Sequence, residues 1–292
     1  MKRLKMKLIK VKINPHSSFV TFPKGDTIFG HFAYHSFLKG ESVFEDYTKE
    51  QEPKIIFSDI LPDGHFYKPT LPLSAFGVDE REKKEFRKKS WIDIVSLQQG
   101  ELLKARELSF YKTEIKVRNS LNRVTFSTDN SGEFAPFSLE EIRFNYQPVI
   151  YVLFNEDSFT KESILERLNL IGKVGFGKKG SIGKGHFLAE IEEEFKGFDE
   201  VDTKYYLTLS PTILNKQPYI KKAYYNTFNR FGKSHSSSTP FKKPLLMADS
   251  GAVVKIEEKR TYIGRGIENG INRQSLVQGY SILVPFKGDF DG

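Results

Sequence analysis

Residues Gln147–Ile191, QPVIYVLFNEDSFTKESILERLNLIGKVGFGKKGSIGKGHFLAEI, read as a strand, a helix, a glycine-rich loop and a second strand. Gln147 to Phe154 is the first strand. Thr160 to Ile171 is the helix, with Ile164, Leu168 and Ile171 on one face and Asp157, Ser158 and Thr160 available as caps. Gly185 to Ile191 alternates Phe187, Ala189 and Ile191 against His186, Leu188 and Glu190, the period of a half-buried strand. Between them, Gly172 to Gly185 hold six glycines and four lysines in fourteen positions. Glycine reaches positive φ and lets a ligand approach the backbone, and successive N–H groups ringed by ammonium tips cradle anionic oxygen. The sequence therefore points to a polyanionic ligand.

Three nucleotide motifs overlie this loop and fail on context. Gly175-x-Gly177-x-x-Gly180 copies a dinucleotide fingerprint, which needs a strand before it and a helix after it, the reverse of the order here. Gly172-x4-Gly177-Lys178 imitates a Walker A, but Lys179 stands where a magnesium-binding hydroxyl belongs. A kinase glycine loop would require His-Arg-Asp and Asp-Phe-Gly triplets, and neither occurs in the chain. The charge pattern points instead to nucleic acid. Net charge is +8 over 292 residues, and three stretches lack any acid: Ile115 to Thr128, Arg167 to Ala189 and Thr203 to Ala248. The longest carries Arg230, Lys233, Lys242 and Lys243 among interleaved tyrosines and phenylalanines. Such lysines neutralise phosphates, and such aromatics stack unpaired bases.

With no cysteine there is neither a disulfide framework nor a thiolate site, and with 26 phenylalanines there is material for real cores. No apolar run approaches a membrane span, so a soluble, cytoplasmic chain is expected, with no membrane partner and no cofactor or metal. Met6 to Ile13 reads as a first strand, and Pro23 to Asp26 as a turn. Thr27 to Leu38 reads as a helix capped by Asp26, with Ile28, Phe32, Ala33 and Phe37 inward, and Lys54 to Leu61 as a second strand. A long excursion follows, helical over Asp79 to Leu97 and hairpin-like around Phe110 to Phe126. Without it the order is β-α-β-β-α-β, the ferredoxin-like arrangement shared by RNA-recognition domains. The aromatic base-stacking signature is missing from Tyr146 to Phe154, which favours the glycine loop over the sheet face for docking. The expectation is an α+β chain of two ferredoxin-like (RRM-like) domains. Residues 1–196 form the first, with an insertion at about 62–143 and the glycine-rich loop at 172–185; residues 197–292 form a smaller second one. Ser234 to Pro240 reads as a polar loop within it.

A ferredoxin-like domain whose second helix runs into Gly183-Lys184-Gly185-His186-Phe187 resembles the RAMP superfamily of CRISPR systems. The finer resemblance is to the family of the fourth subunit of the type III-A Csm interference complex. It rests on Thr27-Ile28-Phe29-Gly30, on Arg118-Asn119-Ser120-Leu121-Asn122-Arg123-Val124-Thr125, on Lys243-Pro244 and on Gly279-Tyr280 to Pro285. Gly251-Ala252 departs from a Gly-Ser usual there. The resemblance implies a non-catalytic subunit that grips the repeat-derived 5′ tag of the crRNA. It implies docking on the large polymerase-like subunit and the adjacent backbone RAMP subunit. The insertion would be a thumb meeting target RNA near the tag–guide junction, with Phe110 or Phe126 beside a displaced base. Candidate RNA contacts are Gly30 and His31 on the first helix; Arg118, Asn119, Ser120, Asn122 and Arg123 on the thumb; Gly175, Gly177, Lys178, Lys179, Ser181, Gly183, Lys184, Gly185 and His186 on and beside the loop; and Arg230, Lys233, Lys242 and Lys243.

The rival class is a RAMP endoribonuclease that processes repeat RNA, with His186 as acid or base and Lys184 stabilising a pentavalent phosphate. His31 and His35 are spaced for a shared metal, but the glutamate of a His-Glu-x-x-His motif is replaced by Phe32.

Overall fold

The computed structural model describes residues 6–49, 52–119, 121–128, 134–232, 242–268 and 275–290. It is a mixed α/β structure of mostly strands with few helices. Strand β1 (Met6–Pro15) buries Ile9, Val11 and Ile13, as its alternation dictates. Helix α1 (Gly25–Leu38) begins two residues before the expected start, within the stretch read as a turn. Asp26 does not cap it: the preceding residue is Lys24, no side chain caps the helix, and Asp26 lies inside the first turn. The Gly25 N–H instead donates to Asp59 Oδ1 at 2.8 Å, and a Cβ on Gly25 would sit 2.3 Å from the Phe57 carbonyl oxygen.

The second expected strand is split into β2 (Ile55–Phe57) and β3 (Leu61–Pro62). The excursion follows. In it, β4 (His65–Tyr67) pairs with β5 (Trp91–Asp93), and the expected helix is broken by β5 into α2 (Lys83–Lys88) and α3 (Ile94–Gln99). The hairpin is larger than expected. Strand β6 (Tyr111–Arg118) pairs not with residues before Phe126 but with β7 (Phe137–Phe144). Strand β8 (Pro148–Asn155) is buried along its whole length: it lies centrally between β1 and β2, and both faces of the sheet are covered there. Thr160 caps α4 (Lys161–Val174) through a reciprocal pair of bonds with Ser163, and β9 (Phe187–Ile191) completes the sheet in the order β2-β8-β1-β9, with α1 and α4 in its crossovers.

The sheet face away from the helices is filled by protein. Phe66, Phe195 and Phe198 pack on Tyr151 at 5.1–5.5 Å, and Lys10 is held by Asp63 (2.6 Å) and Glu192 (3.1 Å).

Next come β10 (Tyr205–Thr208), β11 (Ile220–Tyr224), the ribbon β12 (Thr227–Arg230) with β13 (Leu245–Ala248), then β14 (Val253–Ile256), β15 (Tyr262–Glu268) and β16 (Leu276–Pro285). The second sheet has the order β11-β14-β10-β16-β15. Among the described residues, 197–292 contain no helix, so a second ferredoxin-like unit with helices of its own is not what this sheet presents. Helix α1 of the first unit packs against β16 instead, and one apolar core spans both sheets. Buried Gln278 ties them: its amide nitrogen donates to the Phe57 carbonyl (2.7 Å) and its oxygen accepts the Phe57 N–H (2.8 Å). The Gly251-Ala252 turn is likewise structural, since Gly251 accepts the Thr70 N–H at 2.9 Å and so ties the excursion to the second sheet. The loop expected at Ser234 to Pro240 lies outside the described residues. No helix among the described residues is long and apolar enough to cross a membrane.

Candidate nucleic-acid interface

The glycine loop is folded tightly on itself. A Cβ on Gly175 would meet Gly180 Cα at 2.7 Å, one on Gly185 the Phe176 carbonyl at 2.2 Å, and one on Gly177 Thr21 Cβ at 2.6 Å. Gly175 and Gly185 allow backbone to cross backbone and Gly177 lets the Thr21 side chain pack against it, a correction to their expected use as ligand contacts. Gly183, at φ +86, is the loop glycine that faces open space. Its neighbours take up most of the donors. Gly177 N–H donates to His31 Nε2 (3.1 Å), Lys178 N–H to Thr21 Oγ1 (3.0 Å) and Gly185 N–H to the Ser18 carbonyl (2.9 Å). The N–H groups of Lys179, Gly180 and Ser181 have no acceptor among the described residues. The side chains of Lys178, Lys179 and Ser181 are exposed there, with Lys179 Nζ 4.8 Å from the centre of the Phe137 ring on the hairpin. Three donors and two ammonium groups thus remain for an anion.

Lys184 is not among them. It is 9% exposed, and its ammonium lies 2.6 Å from Glu141 Oε1 while donating to Ser18 Oγ at 2.9 Å. Glu141, on β7, is fully buried. It also accepts Arg118 Nη2 (2.9 Å) and the Ser18 hydroxyl (2.7 Å), with Lys116 Nζ at 3.6 Å. Burial alone would push its carboxyl pKa up; the bonds from Lys184, Ser18 and Arg118 outweigh burial and hold it far below the usual range. Arg118 and Lys184, both expected on RNA, are therefore occupied by one internal carboxylate.

A second part of the interface is the partly exposed face of α1, where Thr27, Gly30, His31 and Tyr34 follow one another at helical spacing. A Cβ on Gly30 would meet nothing within 4 Å. His31, expected to touch RNA, holds the loop: its Nε2 accepts from Gly177 and its ring packs on Phe176 at 4.7 Å. At the start of this face, Arg230 Nε is 2.6 Å from buried Asp26 and its Nη2 donates to Thr27 Oγ1 at 2.6 Å. Burial raises the Asp26 pKa against the pull of Arg230. Burial, then Arg230, lowers that of Lys242. Lys243 is exposed.

At the hairpin tip, Asn122 Oδ1 accepts the Val124 N–H (2.9 Å) and its carbonyl accepts the Phe126 N–H (2.8 Å). This turn leaves Asn119 and Arg123 exposed and holds Phe126 at φ 54 with its ring 78% exposed. Phe110 is buried against Trp91 and Phe144 and is closed to any base. Ser120 and Lys233 lie outside the described residues. His186 is half-buried, with its N–H on Ser17 Oγ and its carbonyl accepting the His16 N–H. His35 is buried, with its pKa lowered by burial and by Arg167, and among the described residues no cluster of three or more His, Cys, Asp or Glu could hold a metal.

Glu141, Ser18 and Thr21 escaped the sequence reading. The available signal was Glu141 itself, two residues from Leu139 and so on the same inward face of a strand.

The geometry is that of an α+β scaffold with a basic loop, an open helix face and a projecting hairpin. No family model matches the chain. Its sequence is similar to the CRISPR system Cms protein Csm4 of Thermococcus onnurineus, 28% identical over 73% of this chain and 78% of that protein. It is also similar to the protein of the same name from Methanocaldococcus jannaschii, 25% identical over 64% of this chain and 57% of that one. Its fold matches a chain of the crystal structure of a Csm1–Csm4 cassette in complex with pppApA, with a TM-score of 0.63 and 19% identity over 98% and 99% of the two chains. It also matches a chain of the Csm3–Csm4 subcomplex of the type III-A CRISPR-Cas interference complex, with a TM-score of 0.61 and 17% identity over 96% and 99%. The chain has the fold of a type III-A CRISPR complex subunit, and its sequence relatives carry the name Csm4.

Proposed function

We propose that this chain is the Csm4-type RAMP subunit of a type III-A CRISPR effector complex, and that it binds the 5′ repeat-derived tag of the crRNA without cutting it. The observation that carries the RNA reading is the juxtaposition of the exposed Lys178–Lys179 pair with the open face of α1 at Gly30, joined by the His31–Gly177 bond. A backbone path along that face meets ammonium groups and free N–H donors at one end and Arg230, bonded to Thr27, at the other, which suits recognition by charge and shape. The partners follow from similarity: related structures pair Csm4 with Csm1 and with Csm3, and this chain is assigned the same two docking roles, on the large subunit and on the adjacent backbone subunit. The hairpin, with Arg123 and Phe126 at its tip, is assigned the tag–guide junction with target RNA. We read 1–196 and 197–292 as two units acting together in the cytoplasm. The nuclease alternative is disfavoured because Lys184, the cation that would stabilise its pentavalent phosphate, is bonded to Glu141.

The test is titration of tag-bearing RNA against salt. Lys178→Ala with Lys179→Ala should weaken binding and flatten the log–log slope by about 1.4, at roughly 0.7 per single-strand phosphate contact. An unchanged slope in the folded variant removes the loop from the site. Site-specific cleavage of repeat RNA that disappears in His186→Ala would replace the proposal with the nuclease.

A further inference from the structure

The ion cluster at the base of the hairpin joins three segments through one carboxylate. Glu141 comes from β7, Lys116 and Arg118 from β6, Lys184 from the end of the glycine loop, and Ser18 from the chain just after β1. Glu114 is the other acid near them, 3.8 Å from Lys116. Both Glu141 oxygens are bonded inside the protein, whereas the Arg118 side chain is 44% exposed at the surface where the loop lysines stand. Charge-assisted bonds to a desolvated carboxylate are stronger than the same bonds in water. A phosphate can take Lys184, or the Nη2 group of Arg118, from Glu141 only by stripping such a bond and leaving a buried carboxylate with fewer partners.

We propose that Glu141 is a positioning residue of the RNA grip. It takes the place between hairpin and loop that a phosphate would otherwise occupy, fixes the two elements against each other, and withholds Arg118 and Lys184 from RNA. The grip then belongs to Lys178, Lys179 and the open helix face, whose geometry selects a particular backbone path, rather than to a broad cationic patch that accepts any polyanion. This inference rests on the RNA-binding reading above and deepens it.

The test compares tag-bearing RNA with an unrelated single strand of equal length, each titrated against salt on the full chain. Arg118→Met should leave affinity and slope for both RNAs unchanged, since the arginine it removes makes no phosphate contact. Glu141→Gln should bind the unrelated strand several-fold more tightly, with a slope steeper by about 0.7 for each cation released, so that preference for the tag shrinks. A role in stability alone gives no such gain. The inference is overturned if Arg118→Met flattens the slope by about 0.7, or if folded Glu141→Gln binds unrelated RNA no better than the natural chain. Should Glu141→Gln fail to fold, Arg118→Met decides alone. If the natural chain shows no preference for the tag, the tag reading falls, while the unrelated strand still reports on Glu141.

Discussion

Arg118 and Arg123 stand five residues apart in one polar run, yet the structure gives them opposite situations. At the base of the hairpin, Arg118 is bonded to a fully buried carboxylate that also holds Lys184. At the tip, Arg123 is exposed beside Val124 and Phe126, which are 88% and 78% exposed. The base is a joint and the tip is a free surface. Composition alone does not separate them, because what decides is the residue across the hairpin and the segment beneath it. Opposite Glu114 stands Glu141, and beneath it lies the glycine loop.

The largest effect expected from this contrast is on stability. Glu141→Ala leaves the buried Lys184 ammonium without its carboxylate, and breaking a buried pair in this way destabilises by about 3–5 kcal/mol. The pH dependence has a definite sign. The carboxyl pKa is held far below its unfolded value of about 4.3, so the pair's contribution is fully present above that value and is lost as pH falls towards the folded one. Denaturant titrations at pH 7 and near pH 3 check this: the loss caused by Glu141→Ala should shrink at the lower pH. An equal loss at both would mean that Glu141 acts through packing rather than charge.

The tip should respond differently. Phe126→Ala removes an exposed ring that touches no core, so the folded chain should be as stable as before. If the tip meets RNA at the junction, the loss is in target pairing, by about 1–3 kcal/mol for one stacking contact. Chemical probing of the guide in the assembled complex reads this directly. Wild-type reactivity at the junction in Phe126→Ala combined with Arg123→Ala would confine the hairpin to a structural role.

Much of the scaffold was legible because local signals agreed with the fold. The alternation of β1, the Thr160 cap of α4 and the alternation of β9 each follow from neighbours in sequence, and all three elements are found. Where the decisive partner is distant in sequence, local signals mislead. The second strand of the hairpin begins at Phe137, past a turn that looked like the closure, and β5 interrupts a stretch with helical content by pairing with β4. Asp26 has the chemistry of a cap, but Arg230, far along the chain, claims its carboxylate. The loop glycines look open because a glycine facing ligand and a glycine facing another backbone read the same. Gly175 and Gly185 are the second kind, Gly177 faces the Thr21 side chain, and only the tertiary fold says so.

Gly30 sharpens the comparison at the smallest scale, because it is the helix-face counterpart of those packed glycines. It lies in the interior of α1, where glycine is less stable than alanine by about 0.5–1 kcal/mol, and a Cβ there would meet no atom within 4 Å. Packing in the free chain therefore gives no reason for its small size. Gly30→Ala should raise the melting temperature by about 1–4 °C, the shift such a gain produces in a chain of this order. If RNA backbone lies along the face that runs from Thr27 to Tyr34, the added methyl stands where a sugar or phosphate must pass, and tag affinity should fall while stability rises. Opposite signs in the two measurements identify a surface shaped for a ligand. A more stable variant with unaltered affinity would withdraw the helix face from the interface and leave the grip to Lys178, Lys179 and the free N–H groups beside them.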